Sequence, residues 1–187
     1  MMRHLLIVSI VACVLFAGCE RDVPPETGNG LADASEAELR EFMDDPDPNV
    51  RYEAAMRLIG PAPVTREKMQ LYKPLLFDEG MLTNIGLTTP ESIQVISLMG
   101  IWVRAREHDP TDLEVLVPEL AALVEEEDRR RAFVAAEILG EIGPLASEAM
   151  PSLRWYCETE AADSERKWRV AFAMEKIEPG SMAGDIR

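Results

Sequence analysis

Acidic and amide side chains at alternate positions are the first candidates for chemistry in this sequence. Asp45, Asp47 and Asn49 have the spacing with which oxygen ligands open a calcium-binding loop. The pattern fails further on, because Val50 stands where the loop needs glycine and Met56 stands where a bidentate glutamate closes the site. We therefore expect these acids to cap the following helix, and the sequence predicts no metal site.

Nucleophiles and general bases are few. The candidates are Cys157, His108 and Glu91, and their positions match no known catalytic spacing. The chain has two histidines, of which His4 lies in the apolar N-terminal region. Most histidine-based metal sites and Ser-His-Asp arrangements are thereby excluded. We expect no enzymatic activity and no cofactor.

The sulfur with the clearest sequence context belongs to Cys19. A basic front at Arg3 precedes the apolar run 5–17, which is shorter than the roughly 20 residues of a membrane-spanning helix and typical of a secretory signal. The run ends Leu-Phe-Ala-Gly-Cys and resembles the lipobox of bacterial lipoproteins, with Phe16 where that family has an aliphatic residue. The resemblance implies cleavage before Cys19 and its acylation, which makes 1–18 a lipoprotein signal peptide. An ordinary signal peptide is the alternative.

Composition limits the rest of the chain. Its 187 residues fit one domain, and a hydrophobic content of 47% is enough for a core. The formal charge of −15 disfavours nucleic acid as a partner. Residues 19–34 are rich in proline, glycine and charge and predict a flexible tether, whereas 180–187 predict a disordered tail. The domain is expected at 35–179.

A repeated unit organises that domain. The stretch 117–151 predicts two helices joined by a charged turn, and its opening Val-Pro-Glu-Leu returns at 150–153 as Met-Pro-Ser-Leu. Recurrence at this period is typical of repeat proteins, in which each helix pair buries its apolar side on its neighbours. The turn joins Glu125, Glu126, Glu127 and Asp128 to three arginines, and we expect these charges to be solvated.

The first unit carries a family resemblance. The sequence 47–58, Asp-Pro-Asn-Val-Arg-x-x-Ala-Ala-x-x-Leu, resembles the second half of a HEAT repeat, especially the HEAT-like repeats grouped with phycobilisome lyases. The resemblance implies an all-α fold, a right-handed α-solenoid of about four HEAT-like helix pairs. It also implies that Asp47 and Arg51 belong to a ladder that ties successive repeats.

Helix boundaries follow from caps and breakers. A capping box at Ser35 opens the first helix, and Thr89 with Pro90 predicts the start of a long apolar helix that ends at 106. Thr111 is expected to cap the first helix of the third unit, with a kink at Pro118. Further helices are expected at 50–59, at 65–77, at 146–157 and at 165–177.

Aligning the second helices places four large side chains at equivalent positions: Tyr52, Ile93, Phe133 and Trp168. They form a candidate partner-binding surface. The alternative, which we favour, is that they pack between repeats, because apolar stripes in helices are mostly core.

These observations predict a scaffold or adaptor. The chain is expected to be a membrane-anchored HEAT-repeat lipoprotein on the extracytoplasmic side of the bacterial cell envelope, holding a protein or peptide partner. A HEAT-like lyase or isomerase acting on a bound cofactor is the enzymatic alternative implied by the resemblance. A spacer without a specific ligand is the third possibility.

Overall fold

The computed structural model describes residues 31–60, 65–83, 91–107, 109–161 and 164–181, which are mostly helical. The α-helices are α1 (Glu36–Phe42), α2 (Pro48–Ile59), α3 (Arg66–Gln70), α4 (Tyr72–Leu75), α5 (Ile93–Glu107), α6 (Pro110–Leu113), α7 (Val117–Val124), α8 (Arg129–Ile142), α9 (Met150–Thr159) and α10 (Glu165–Ile177). Short 3-10 helices occupy Leu31–Asp33, Glu114–Leu116 and Gly143–Ala149. The expectation of a mainly α-helical chain is confirmed.

Two short strands depart from the all-α expectation. Strand β1 (Met81–Leu82) pairs antiparallel with β2 (Glu91–Ser92). The long helix α5 consequently begins at Ile93 and not at Pro90, and the Ser92 hydroxyl accepts a hydrogen bond from the backbone N–H of Val95 at 3.3 Å. Ser92 therefore caps α5, whereas the predicted cap at residues 89 and 90 lies outside the described residues.

Helix caps in the first unit follow the sequence. The Ser35 backbone N–H donates to Glu38 Oε2 at 2.7 Å, and the Ser35 hydroxyl accepts from the Glu38 backbone N–H, which completes the capping box. The Asp47 carboxylate accepts from the backbone N–H of Asn49 at 2.9 Å and caps α2. The side-chain amide and the backbone N–H of Asn49 both donate to this carboxylate and hold the pKa of Asp47 below its usual value. The expectation that the acids cap this helix is confirmed.

Four of the predicted helix boundaries need correction. Pro118 and Pro151 lie in the first turns of α7 and α9, where the missing N–H of proline costs nothing, and a 3-10 helix precedes each of these helices. Pro118 therefore marks the start of a helix and not a kink within one, and the helix expected at 146–157 begins at Met150. The cap of α6 is Asp109, which accepts from the Thr111 N–H at 2.9 Å, and not Thr111 itself. The expected helix 65–77 is divided at Leu71 into α3 and α4.

The predicted tether also needs a new boundary. Leu31 is 4% exposed and packs with Leu39, Val50 and Ala54 in a small apolar cluster. The Arg57 guanidinium donates to the Leu31 carbonyl at 2.9 Å. Residues 31–34 therefore belong to the folded domain, while residues 1–30, with the predicted signal peptide and Cys19, lie outside the described part.

Helix packing centres on α8, which contacts its hairpin partner α7 and also both α5 and α10. Helices α9 and α10 form a second hairpin, and α9 packs against α7. The close approach of α8 to α10 depends on Gly140, where a Cβ atom would lie 2.6 Å from the Cβ of Ala173. The row α5, α8 and α10 is thus one layer, backed by the layer that contains α7 and α9. No described helix combines the length and apolar character that a membrane crossing requires.

Candidate partner-binding surface

The four equivalent positions of the sequence do not form one exposed row. Tyr52 and Ile93 are 8% and 0% exposed and belong to the core, which corrects their assignment to a partner-binding surface. Burial also raises the pKa of Tyr52. Phe133 is half-buried, whereas Trp168 is 51% exposed. Tyr52 and Ile93 therefore pack in the core as we favoured, whereas Trp168 does not.

The two most exposed large apolar side chains of the described residues lie on α10. Trp168 and Phe172, one turn apart, are 51% and 59% exposed. The opposite side of the helix is buried by Val170, Ala173, Met174 and Ile177. Because this helix already has a complete buried stripe, its two large aromatic rings project away from the core.

Two cations of α10 link this helix to α8. The Arg169 guanidinium lies 5.1 Å from the centroid of the Phe133 ring and forms an ion pair with Glu137. The Lys176 ammonium lies 5.5 Å from the centroid of the Phe172 ring and 3.1 Å from Glu141 Oε1. We define the aromatic surface as Phe133, Trp168 and Phe172 together with Arg169 and Lys176. It extends across both helices.

Glu137 is the electrostatically unusual residue of this region. Its side chain is 19% exposed, whereas that of Arg169 is 50% exposed. Burial raises the pKa of Glu137, assisted by the charge of Glu141 and opposed by Arg169 and Lys176. Although an adjacent arginine ordinarily lowers a carboxyl pKa, this guanidinium is half in solvent, and its attraction is screened.

Sequence reasoning missed Phe172, Arg169 and Lys176. The signal was present, since Trp168, Phe172 and Lys176 recur every four residues and must share one side of a helix. Another contact between a cation and a ring involves Trp155 of α9, where the Arg129 guanidinium lies 5.1 Å from the ring centroid. Trp155 does not belong to a row of side chains that recur every four residues. Trp155 is 37% exposed and provides a matched control for experiments on Trp168.

The predicted ladder pair has a different geometry. Arg51 does not bond Asp47; its guanidinium donates to both carboxylate oxygens of Asp78, at 2.7 and 2.8 Å, and to the Asp45 carbonyl at 2.7 Å. These hydrogen bonds hold the pKa of Asp78 below its usual value. Gly80 permits the approach, because a Cβ there would lie 2.6 Å from the Arg51 guanidinium. Arg51 thus fastens α2 to the segment that precedes β1.

The charged turn before α8 is also more ordered than expected. Arg131 is 20% exposed, lies within 3.0 Å of Glu126 and 3.1 Å of Asp128, and donates to the buried Gln94 of α5. The Ser152 hydroxyl of α9 donates to Glu125 at 2.7 Å. The expectation of solvated charges is therefore wrong for Arg131 and Glu126, which are half-buried, whereas Glu125 and Asp128 are exposed as expected.

Residues considered for catalysis lie in separate elements. Glu91 is in β2, and Cys157 is in α9, where it lines an open cleft of about 440 Å³ together with Arg154, Glu158, Lys167 and Ser181. The Cys157 sulfur lies 3.9 Å from that of Met174. His108 is outside the described ranges. Among the described residues no group of three histidine, cysteine or acidic side chains has the geometry of a metal site.

A second cleft, of about 630 Å³, lies where α1, α2 and α3 meet, and its lining is mostly polar or charged. No protein-family model, curated protein or solved structure matches this sequence.

Proposed function

We propose that this protein is a lipid-anchored adaptor of the bacterial cell envelope that holds a protein or peptide partner on the aromatic surface. The observation that carries the proposal is the exposure of Trp168 and Phe172 beside the half-buried Phe133. Large exposed aromatic side chains with cations around them are characteristic of sites that become buried on binding.

We also propose that the helices stack as repeated pairs. The hairpins α7–α8 and α9–α10, with α8 between α5 and α10, support a short right-handed α-solenoid of about four HEAT-like pairs. Polar links between neighbouring units, from Arg131 to Gln94 and from Arg169 to Glu137, support the stacking. In such a stack the second helices form a continuous surface, and the aromatic surface occupies it.

The anchor is proposed from the sequence alone. Acylation of Cys19 would hold the domain on the extracytoplasmic side of a membrane, with the residues up to 30 as a spacer. The partner of such an adaptor would be a membrane protein or a protein located at the membrane surface.

The test is capture of partners by the full-length protein from its native membranes after solubilisation in detergent. The double variant Trp168→Ala/Phe172→Ala should lose partners that the wild type retains, whereas Trp155→Ala should retain them. Folding of each variant is checked by circular dichroism. Equal capture by the double variant, or no specific partner for the wild type, would contradict the proposal.

A further inference from the structure

We infer that the partner of the aromatic surface is a peptide segment that presents carboxylates beside aromatic or aliphatic side chains. This inference rests on the proposed function and names the chemistry of the partner. It is carried by the distribution of charge in the helix row α5, α8 and α10, which is opposite in sign to that of the whole chain.

Each helix of that row has more basic than acidic residues. Helix α5 has two arginines and one glutamate, α8 has three arginines and two glutamates, and α10 has four basic and two acidic residues. The net formal charges are +1, +1 and +2, in a chain whose formal charge is −15. The acidic excess therefore lies outside these three helices, which favours them over the rest of the chain as a contact for an anionic side chain.

The arrangement within the ion pairs strengthens this bias. Arg169 is 50% exposed and Glu137 only 19%, while Lys176 is 38% exposed and Glu141 is 31%. In both pairs the cation is the more exposed partner, by a wide margin at Arg169 and by a narrow one at Lys176. Arg106 of α5 adds a further cation beside a ring, with its guanidinium 5.1 Å from the centroid of the Trp102 ring.

The rings set the apolar part of the partner. Trp168 and Phe172 are separated by about 6 Å along the helix axis, from a rise of about 1.5 Å per residue. The Lys176 ammonium lies over the Phe172 ring. An apolar side chain between the two rings would therefore bring a neighbouring carboxylate to Lys176 or Arg169, where it forms a charge-assisted hydrogen bond.

Nucleic acid and anionic lipid share the negative charge of this partner but fit less well. A phosphate backbone or a charged bilayer extends well beyond the aromatic surface and meets the acidic remainder of the chain. A short peptide contacts the aromatic surface alone. The acidic peptide is therefore the occupant that we propose.

Selection from a displayed library of random peptides on the full-length protein in detergent tests the inference. Enriched peptides should have net negative charge, with aspartate or glutamate next to aromatic or aliphatic residues. Their affinity should fall roughly tenfold or more for Trp168→Ala/Phe172→Ala and for Lys176→Glu, as expected for central contacts. Trp155→Ala and Lys73→Glu, the latter altering a cation paired with Glu119 at 2.7 Å, should bind as the wild type does.

The outcomes separate the inference from the proposed function. Enriched peptides of neutral or positive charge, or peptides sensitive to the ring variants but indifferent to Lys176→Glu, would overturn the acidic chemistry and leave the adaptor function standing. No enrichment, or binding indifferent to the ring variants, would overturn both. If the protein bound phosphatidylglycerol vesicles or single-stranded DNA more strongly than any selected peptide, the peptide would be ruled out as the occupant of the aromatic surface, and that ligand would take its place.

Discussion

Arg169 of α10 and Glu137 of α8 form an ion pair in which the acid is the more buried partner. The same guanidinium covers the ring of Phe133. One side chain therefore joins two helices and also covers part of the aromatic surface. The pair therefore links α8 to α10 and lies at the border of the proposed binding site.

Protonation of Glu137 should be favourable to folding. Its pKa in the folded chain is raised by burial, so its contribution to stability is present below the unfolded value and is lost as the pH rises through the folded value. We expect the unfolding free energy of Glu137→Gln to rise relative to that of the wild type as the pH is raised from 4 to 7. At pH 7 the two values should lie within about 1 kcal/mol of each other. Urea denaturation at both pH values measures this.

The control for that experiment is Glu53→Gln, which alters the exposed pair with Arg57. A surface pair of this kind contributes at most about 1 kcal/mol. A relative gain for Glu137→Gln that is largest at pH 4 would reverse the sign and refute the assignment of burial as the dominant effect.

The Arg51–Asp78 pair should show the opposite pH dependence. The pKa of Asp78 is lowered, so its contribution is present above the unfolded value of about 3.9 and is lost as the pH falls through the folded value. Because both partners are largely buried, we expect Asp78→Asn to lower the unfolding free energy by about 1–3 kcal/mol at pH 7. The deficit should shrink in acid below pH 4. A deficit that is unchanged there would contradict the role of the ionised carboxylate.

The α8–α10 contact can be tested at Gly140. Alanine is normally favoured over glycine within a helix by about 1 kcal/mol, but a Cβ here would lie 2.8 Å from the Cα of Ala173. We expect Gly140→Ala to destabilise the protein by about 1–3 kcal/mol through overpacking. Gly100→Ala is the matched control, since its Cβ would meet only the end of the Tyr72 side chain, at 3.3 Å. A larger loss of stability at Gly100 than at Gly140 would show that the two helices are not in such close contact.

The elements predicted best are those whose local signals agree. The capping box at Ser35 and the cap at Asp47 are strong local patterns, and both have the expected partners. Prolines were harder, because Pro118 within an apolar run signals a kink as readily as a new first turn. That choice depends on the preceding 3-10 helix, which has no sequence signature of its own.

Exposure at the candidate site could not be read from spacing. The sequence alignment of the second helices places Tyr52 and Trp168 at equivalent positions, yet one is core and the other is surface. The difference comes from neighbours that are distant in sequence: Tyr52 packs with Tyr72 and the residues of α5 in the large core, whereas α10 is the last described helix of the row. The partner of Arg51 was missed for the same reason, since Asp78 is 27 residues away.

The proposed anchor predicts a specific behaviour of Cys19. The wild-type protein should be labelled by palmitate in bacterial cells and should sediment with membranes. Cys19→Ser should lose both properties, whereas Cys157→Ser, which alters the half-buried cysteine of α9, should keep them. Membrane association of Cys19→Ser equal to that of the wild type would refute lipid anchoring at this residue.

Site-specific photo-crosslinking in living cells tests the central claim most directly. The photoreactive residue p-benzoylphenylalanine replaces Trp168, Phe172 or, as the control, Trp155. We predict a discrete adduct with the same protein at positions 168 and 172 and no such adduct at position 155. The absence of adducts at 168 and 172, or an equally strong adduct at 155, would contradict the assignment of the aromatic surface as the partner-binding site.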